Sequence, residues 1–220
     1  MSKAFQRAEE RLLSAIGAAR VSHAFFISSL DSEPAVRLAR RAAALVCTGE
    51  ADEARLAQSA GFRAYDGASM RIDDIRELIA GLAQSPLNGQ MRCTLIEAAH
   101  GMSIPVQNAL LKTLEEPPSS AVFILTGNIA GVLPTVASRC AVIRRGLSSA
   151  SEIESLLLSR GASPAEARFY AAAGGGSETR ALRLYEDETF RTLRDDSLAA
   201  IIALLRGELP LGAAKKLCAN

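Results

Sequence analysis

Short, almost unbroken apolar runs recur along the first two thirds of the chain, each followed by a stretch with helical spacing. This alternation restricts the fold more than any other feature. The runs are AFFIS (24–28), FRAY (62–65), RCTLIEA (92–98), AVFILT (121–126) and CAVIRR (140–145). Helical patterns lie between them at 34–46, with Pro34 as the expected first residue, and at 51–60, 72–83 and 104–115, after an amphipathic N-terminal helix in MSKAFQRAEERLLSAIGAAR. A strand that is apolar at nearly every position must be covered on both faces, and strands separated by helices pair in parallel. The pattern predicts an α/β domain over 1–146, a five-stranded parallel sheet sandwiched by helices. Ser103 with Pro105 marks the start of one of these helices, and Glu115-Glu116-Pro117-Pro118 its end.

Beyond residue 147 the strand signal stops. SSASEIESLLLSRG, PAEARFYAAAGGG, SETRALRLYEDE and TFRTLRDDSLAAIIALLRG read as short helices punctuated by glycine, a small helical domain over 147–208. The residual PLGAAKKLCAN (209–220 with the preceding residue) reads as a linker or the start of a further domain. With 25 basic and 24 acidic side chains the formal charge is +1, so no overall field favours nucleic acid or an anionic membrane, and any DNA contact is local or shared. Cys47, Cys93, Cys140 and Cys218 are far apart in sequence and none lies in C-x-x-C spacing, which predicts buried free thiols in a reducing compartment. The N-terminus lacks the apolar core of a signal peptide, and the most apolar stretch, AVFILTGNIAGVLPTVA, is interrupted by Asn128, Gly131 and Pro134. These features predict a cytoplasmic protein with no membrane partner.

The most specific segment is MRCTLIEAAHGMSIPVQNALLKTLEEPPSSAVFILTGNIAGVLPTVASRCAVIRR, residues 91–145. Strand, loop with His100, helix ending in QNALLKTLEEPP, strand, proline-containing loop and the tripeptide SRC before a last strand follow one another. This order resembles the sliding-clamp loader family within the AAA+ ATPases, as found in bacterial DNA polymerase III, and weaker similarity extends it to about residues 5–205. The resemblance implies an AAA+ type P-loop-like sheet domain followed by a helical lid domain. It also implies one place in a ring of five related subunits that open the sliding clamp and load it on primed DNA. ATP binds between such subunits, so each site has a phosphate-holding side and a side that acts in trans.

A working phosphate loop, G-x-x-x-x-G-K-[ST], wraps phosphates in backbone N–H groups, sets Lys on the outer phosphates and a hydroxyl on Mg²⁺. Aligned on the family pattern, Ser29 and Pro34 take the glycine positions, Ala35 the lysine and Val36 the hydroxyl. Pro34 removes a backbone N–H from the cradle itself. In the acidic motif at the end of the third run, Glu97 takes the metal position and Ala98 the water-orienting position. Thr126 or Asn128 takes the polar position after the fourth run, and Arg180 in GSETRAL falls one residue later than the phosphate-sensing arginine of active members. The implied subunit is non-catalytic by itself and holds no ATP. The four-cysteine zinc module of bacterial members is also missing. Cys47 fits its first ligand position, but the next cysteine, Cys93, lies in a strand, so neither zinc nor any other cofactor is expected.

The trans-acting side is retained in Ser138-Arg139-Cys140. The resemblance implies that Arg139 is an arginine finger for a neighbour's γ-phosphate, with Ser138 setting the turn and Cys140 packing as a small apolar residue. The helix from Pro105 carries Val106, Ala109, Leu110 and Leu114 on an apolar side and Gln107 and Lys112 among its polar positions. Lys112 is a possible DNA phosphate contact. Arg144 and Arg145 read as a solvated strand end, and His23 and His100 as structural or surface residues. Expected partners are the ATPase subunits and delta of the loader, with the sliding clamp and primed DNA reached through the complex. The third, collar-forming domain of the family is missing from residues 1–220, which are expected to be monomeric in isolation. Two rival functions stay open: a divergent ATP-binding AAA+ ATPase, and an AAA+ shaped adaptor outside replication.

Overall fold

The computed structural model describes residues 3–17, 22–83 and 91–206. Contacts between Cα atoms divide the chain into two compact units, Met1–Ser149 and Ala150–Asn220. The first contains α1 (Lys3–Gly17), β1 (Ala24–Ser28), α2 (Ser32–Thr48), α3 (Glu53–Leu56), β2 (Phe62–Asp66), α4 (Ile72–Ala83) and β3 (Arg92–Glu97). A short 3₁₀ turn then leads to α5 (Ile104–Glu115), β4 (Ala121–Gly127), a second 3₁₀ turn, α6 (Pro134–Ala137) and β5 (Ala141–Arg144).

All five predicted strands form, and all pair in parallel in the order β2-β3-β4-β1-β5. The unbroken apolar runs have a direct explanation in the two cores. Phe25 and Ile27 of β1, Leu95 of β3 and Ile124 of β4 face one cluster with Leu38 and Ala42 of α2 and Leu12 of α1. The alternate residues Ala24, Phe26, Ile96, Phe123 and Leu125 face a second cluster with Ile75 of α4 and Leu110 of α5. Because successive strand residues point to opposite faces, a sheet covered on both sides requires apolar residues at both parities. β2 lies at the edge, and none of its five residues is buried.

Three local expectations are corrected. The helix expected at 51–60 is the single turn α3, Glu53–Leu56, capped by Asp52 through a bond from the Ala54 N–H at 3.0 Å. After it, Gln58, Ser59 and Phe62 N–H groups bond carbonyls three residues back, so tight turns replace the helix and deliver the chain to β2. Pro34 is the third residue of α2 rather than its first, because the helix begins at Ser32 after Asp31. The first-turn N–H groups of a helix have no intrahelical acceptor, so proline is tolerated there as well. Finally, β3 ends at Glu97 because Ala98 takes a left-handed conformation, φ 48°, ψ 43°. α2 closes on Gly49 at φ 79°, a left-handed cap that satisfies the Leu45 carbonyl.

The second unit holds α7 (Ala150–Ser159), α8 (Pro164–Gly174), α9 (Glu178–Glu186) and α10 (Glu188–Leu205). Its core gathers Ile153, Leu157, Ala167, Tyr170, Ala171, Ala181 and Leu182. Gly174 lets α8 approach α9, since a Cβ there would lie 2.8 Å from the Ala181 Cβ. Arg194 of α10 donates to the Tyr170 hydroxyl at 2.6 Å and lies over the Tyr170 ring, holding α10 to α8. The expected linker or domain start at 209–220, with Cys218, lies outside the described residues. Among the described residues no helix is long and apolar enough to cross a membrane.

Candidate functional site

In an open parallel sheet, ligands bind beyond the carboxyl ends of the strands where the strand order changes direction. Here β1 stands between β4 and β5, and the loops leaving β1, β3 and β4 meet at that edge. They carry Ser29 to Asp31, Glu97 with Ala98, and Thr126 with Asn128, so one edge collects the predicted nucleotide-handling positions.

The loop after β1 is closed by bonds within the protein. Ser29 donates its N–H to the Gly127 carbonyl at 3.0 Å, and its Oγ accepts the Asp31 N–H at 3.0 Å. Ser29, Pro34 and Ala35 are buried and Val36 is half-buried. Asp31, at the N-cap of α2, makes no side-chain cap bond. Its carboxylate lies 3.8 Å from Arg145 Nη1, and both side chains are 0% exposed. Arg145 also donates its N–H to the Ser28 carbonyl at 2.9 Å and Nη2 to Ser148 Oγ at 3.2 Å. The expectation that Arg145 is solvated is therefore overturned. A guanidinium next to a buried carboxylate is drawn inward to compensate it, while Arg144 beside it stays exposed. A helix N-terminus attracts an anion through its free N–H groups and dipole. Here a carboxylate of the chain itself already stands there with its own countercharge.

The acidic position is also paired internally. Glu97 Oε1 accepts from Arg40 Nη2 of α2 at 2.9 Å, and Glu97 is half-buried. The left-handed Ala98 follows, packed against Gly67, where a Cβ would lie 2.7 Å from the Ala98 carbonyl oxygen. Thr126 is buried, whereas Asn128 caps the next turn by accepting the Ala130 N–H at 3.0 Å and donates its own N–H to His100 Nδ1 at 3.4 Å. The His100 ring crosses the end of β4 so closely that a Cβ on Gly127, at φ 142°, would collide with its Nδ1. His100 thus packs the loops together. His23 is exposed at the start of β1.

Arg139 stands apart from this edge group, in the corner between α6 and β5. Nη1 donates to the Thr135 carbonyl at 2.6 Å, and Nη2 pairs with Glu115 at the end of α5. The Arg139 side chain is 31% exposed, a guanidinium held at the surface by two partners. Ser138 caps α6 and donates its hydroxyl to the Thr135 carbonyl at 3.1 Å. Cys140 is buried, and burial pushes its thiol up to about 12, so it is uncharged at neutral pH. Lys112 is exposed on α5, and Arg180 is exposed on α9, where its N–H bonds the capping Ser177 Oγ at 3.1 Å.

Two findings were not visible in sequence spacing. Gln107, expected on the polar side of α5, is 3% exposed and bridges Met102 and Leu133, giving Nε2 to the first carbonyl at 3.0 Å and accepting the Leu133 N–H at 2.7 Å. Cys47 and Cys93, 46 positions apart in sequence order, meet between α2 and β3. The Cys47 thiol is lowered, chiefly by its hydrogen bond with Cys93, and Cys93 is raised well above the usual range by that bond and by burial. Among the described residues no group of three or more His, Cys, Asp or Glu side chains could hold a metal ion.

Comparison with known proteins gives these residues a context. A family model described as DNA polymerase III, delta subunit matches residues 5–145, more than half of the chain. The DNA polymerase III subunit delta' of Pseudomonas aeruginosa is 35% identical over 53% of this chain and 36% of that subunit. A DNA polymerase III subunit gamma of Buchnera aphidicola is 36% identical over 40% of this chain and 25% of its own length. The matches thus span about a third or less of these relatives. Among solved structures, a gamma subunit-related protein from Thermotoga maritima aligns with TM-score 0.53 and 20% identity over 89% of this chain and 62% of that one. The RuvB Holliday junction branch migration motor of the same organism aligns with TM-score 0.55 and 14% identity over 89% of this chain and 63% of its own. At these identities the two structures establish a shared AAA+ fold.

Proposed function

We propose that this chain, which belongs to the family described as DNA polymerase III, delta subunit, is a non-catalytic clamp-loader subunit that lends Arg139 to a neighbour. The observation that carries this reading is the buried Asp31–Arg145 pair, which occupies the phosphate loop while Arg139 stays at the surface. The loop lacks both glycines, the lysine and the hydroxyl, one of its N–H groups is engaged by Ser29 Oγ, and Pro34 has none. A phosphate entering it would meet the Asp31 carboxylate, and like charges at low dielectric repel strongly. Glu97 is engaged by Arg40, and Ala98 has no group with which to orient water. In this reading the subunit binds no ATP and contributes from its trans-acting side only.

Arg139 suits that task chemically. A guanidinium always carries its charge, and its planar fork of five donors matches phosphate oxygens. Presented to a neighbour's nucleotide, it stabilises charge that develops on the γ-phosphate oxygens as the bond to the leaving group breaks. Arginine fingers in comparable phosphoryl transfers contribute on the order of 10³ to 10⁵ in rate. The proposed partners are the ATPase subunits and delta of the loader, with the sliding clamp and primed DNA reached through the assembly. Lys112 on α5 is proposed as one phosphate contact in the DNA-facing chamber.

The test uses the full-length protein reassembled with its partner subunits. Arg139→Ala should leave folding and assembly unchanged and lower both DNA-stimulated ATP hydrolysis and clamp loading. Wild-type rates from a fully assembled Arg139→Ala complex would remove the finger from the reading.

A further inference from the structure

We infer that Glu115 is the positioning residue of Arg139, and that α5 fixes the finger from both of its ends. This rests on the trans-acting reading of Arg139 above. At the start of α5, the buried Gln107 amide accepts the N–H of Leu133, the residue that caps α6, and donates to the Met102 carbonyl. The corner that carries Arg139 is thereby tied to α5 by a part-buried bond of 2.7 Å. At the other end, Glu115 takes Arg139 Nη2 while the Thr135 carbonyl takes Nη1.

The helix dipole gives no reason for a carboxylate at position 115. The last turn of a helix carries the negative end of the dipole, where Asp and Glu are unfavourable, and Glu116 adds a like charge beside it. Glu115 nevertheless stands there, and the cation it meets is Arg139. An arginine side chain has many rotamers, and ordering them at the moment of reaction lowers the rate. Two acceptors set the guanidinium plane in advance and use two of its five donors, which leaves three for a phosphate.

Steady-state ATPase kinetics of the reassembled loader, containing the full-length subunit, test the inference. Glu115→Ala should lower kcat by about three- to ten-fold with the ATP KM nearly unchanged, because a misaligned finger acts only in the transition state. Glu115→Gln keeps an acceptor oxygen and should recover part of the loss. In an Arg139→Ala background, Glu115→Ala should lower kcat no further, and thermal unfolding of each variant checks the fold. Wild-type or raised kcat in Glu115→Ala, with Arg139→Ala still impaired, overturns the positioning role and leaves the finger standing. A further loss in the double variant overturns it too, since Glu115 would then act through something else. If Arg139→Ala has no effect, the finger reading falls and this inference falls with it.

Discussion

At the scale of single residues, the Asp31–Arg145 pair is the most consequential contact in the sheet domain. Two charges with no exposure are costly to desolvate, so removing one partner leaves the other uncompensated, while removing both does not. Asp31→Ala or Arg145→Ala should destabilise the protein by about 3–5 kcal/mol, whereas Asp31→Leu combined with Arg145→Met should lose much less. Chemical denaturation of the three variants decides this, and a double-variant loss equal to the sum of the two single losses would show that the pair is not coupled. Cys140 gives a second residue-scale expectation. Its thiol titrates near 12 in the folded chain and near 8.5 when unfolded, so the folded state keeps a proton that the unfolded state releases. Its contribution is intact below about pH 8.5 and is lost as pH rises from there towards the folded value. The fall in unfolding free energy between pH 8.5 and 10.5 should therefore be shallower in Cys140→Ala than in the parent, and identical slopes would refute it.

At the scale of elements, what was legible in the sequence followed from local physics. Pro105 and the Glu-Glu-Pro-Pro end bounded α5 because proline's missing N–H and ring act within one turn, and the apolar runs gave the strands because both faces of the sheet are covered. Where the reading failed, the deciding partner was distant in sequence. Arg145 resembles Arg144 until Asp31 is placed beside it, and Gln107 looks like any polar helix residue until Leu133 presents an N–H to it. The pairing of Glu115 with Arg139 spans separate elements in the same way, so Arg139 was legible as part of the SRC motif and its partner was not. The shortening of α3 has a nearer cause in the tight turns that feed β2. One cap carries a measurable weight: Ser163 accepts the Glu166 N–H and Glu166 accepts the Ser163 N–H, closing a capping box at the start of α8. Ser163→Ala should cost about 1 kcal/mol in equilibrium unfolding of the helical unit, and a change within error would mean that water replaces the bond without loss.

At the scale of the whole molecule, the proposed absence of nucleotide binding rests on several independent contacts at one sheet edge, so no single substitution should restore binding. Ala35→Lys returns one cation to the loop. The same variant still has Pro34 without an N–H, the Asp31 N–H bonded to Ser29 Oγ, and the Asp31 carboxylate beside Arg145 at the helix N-terminus. Phosphate binding at such a loop depends on several backbone donors acting with the lysine, and their contributions are lost together when the loop closes on itself. Ala35 is also 1% exposed, so a lysine there must either be buried or push the loop apart. Titration of a fluorescent ATP analogue into the full-length protein should therefore show no saturable signal that unlabelled ATP displaces. Ala35→Lys should behave in the same way while unfolding at a lower temperature. Competable, stoichiometric binding by the parent would make the chain a divergent nucleotide-binding subunit. Binding by Ala35→Lys alone would mean that the missing lysine, and not the filled loop, keeps nucleotide out.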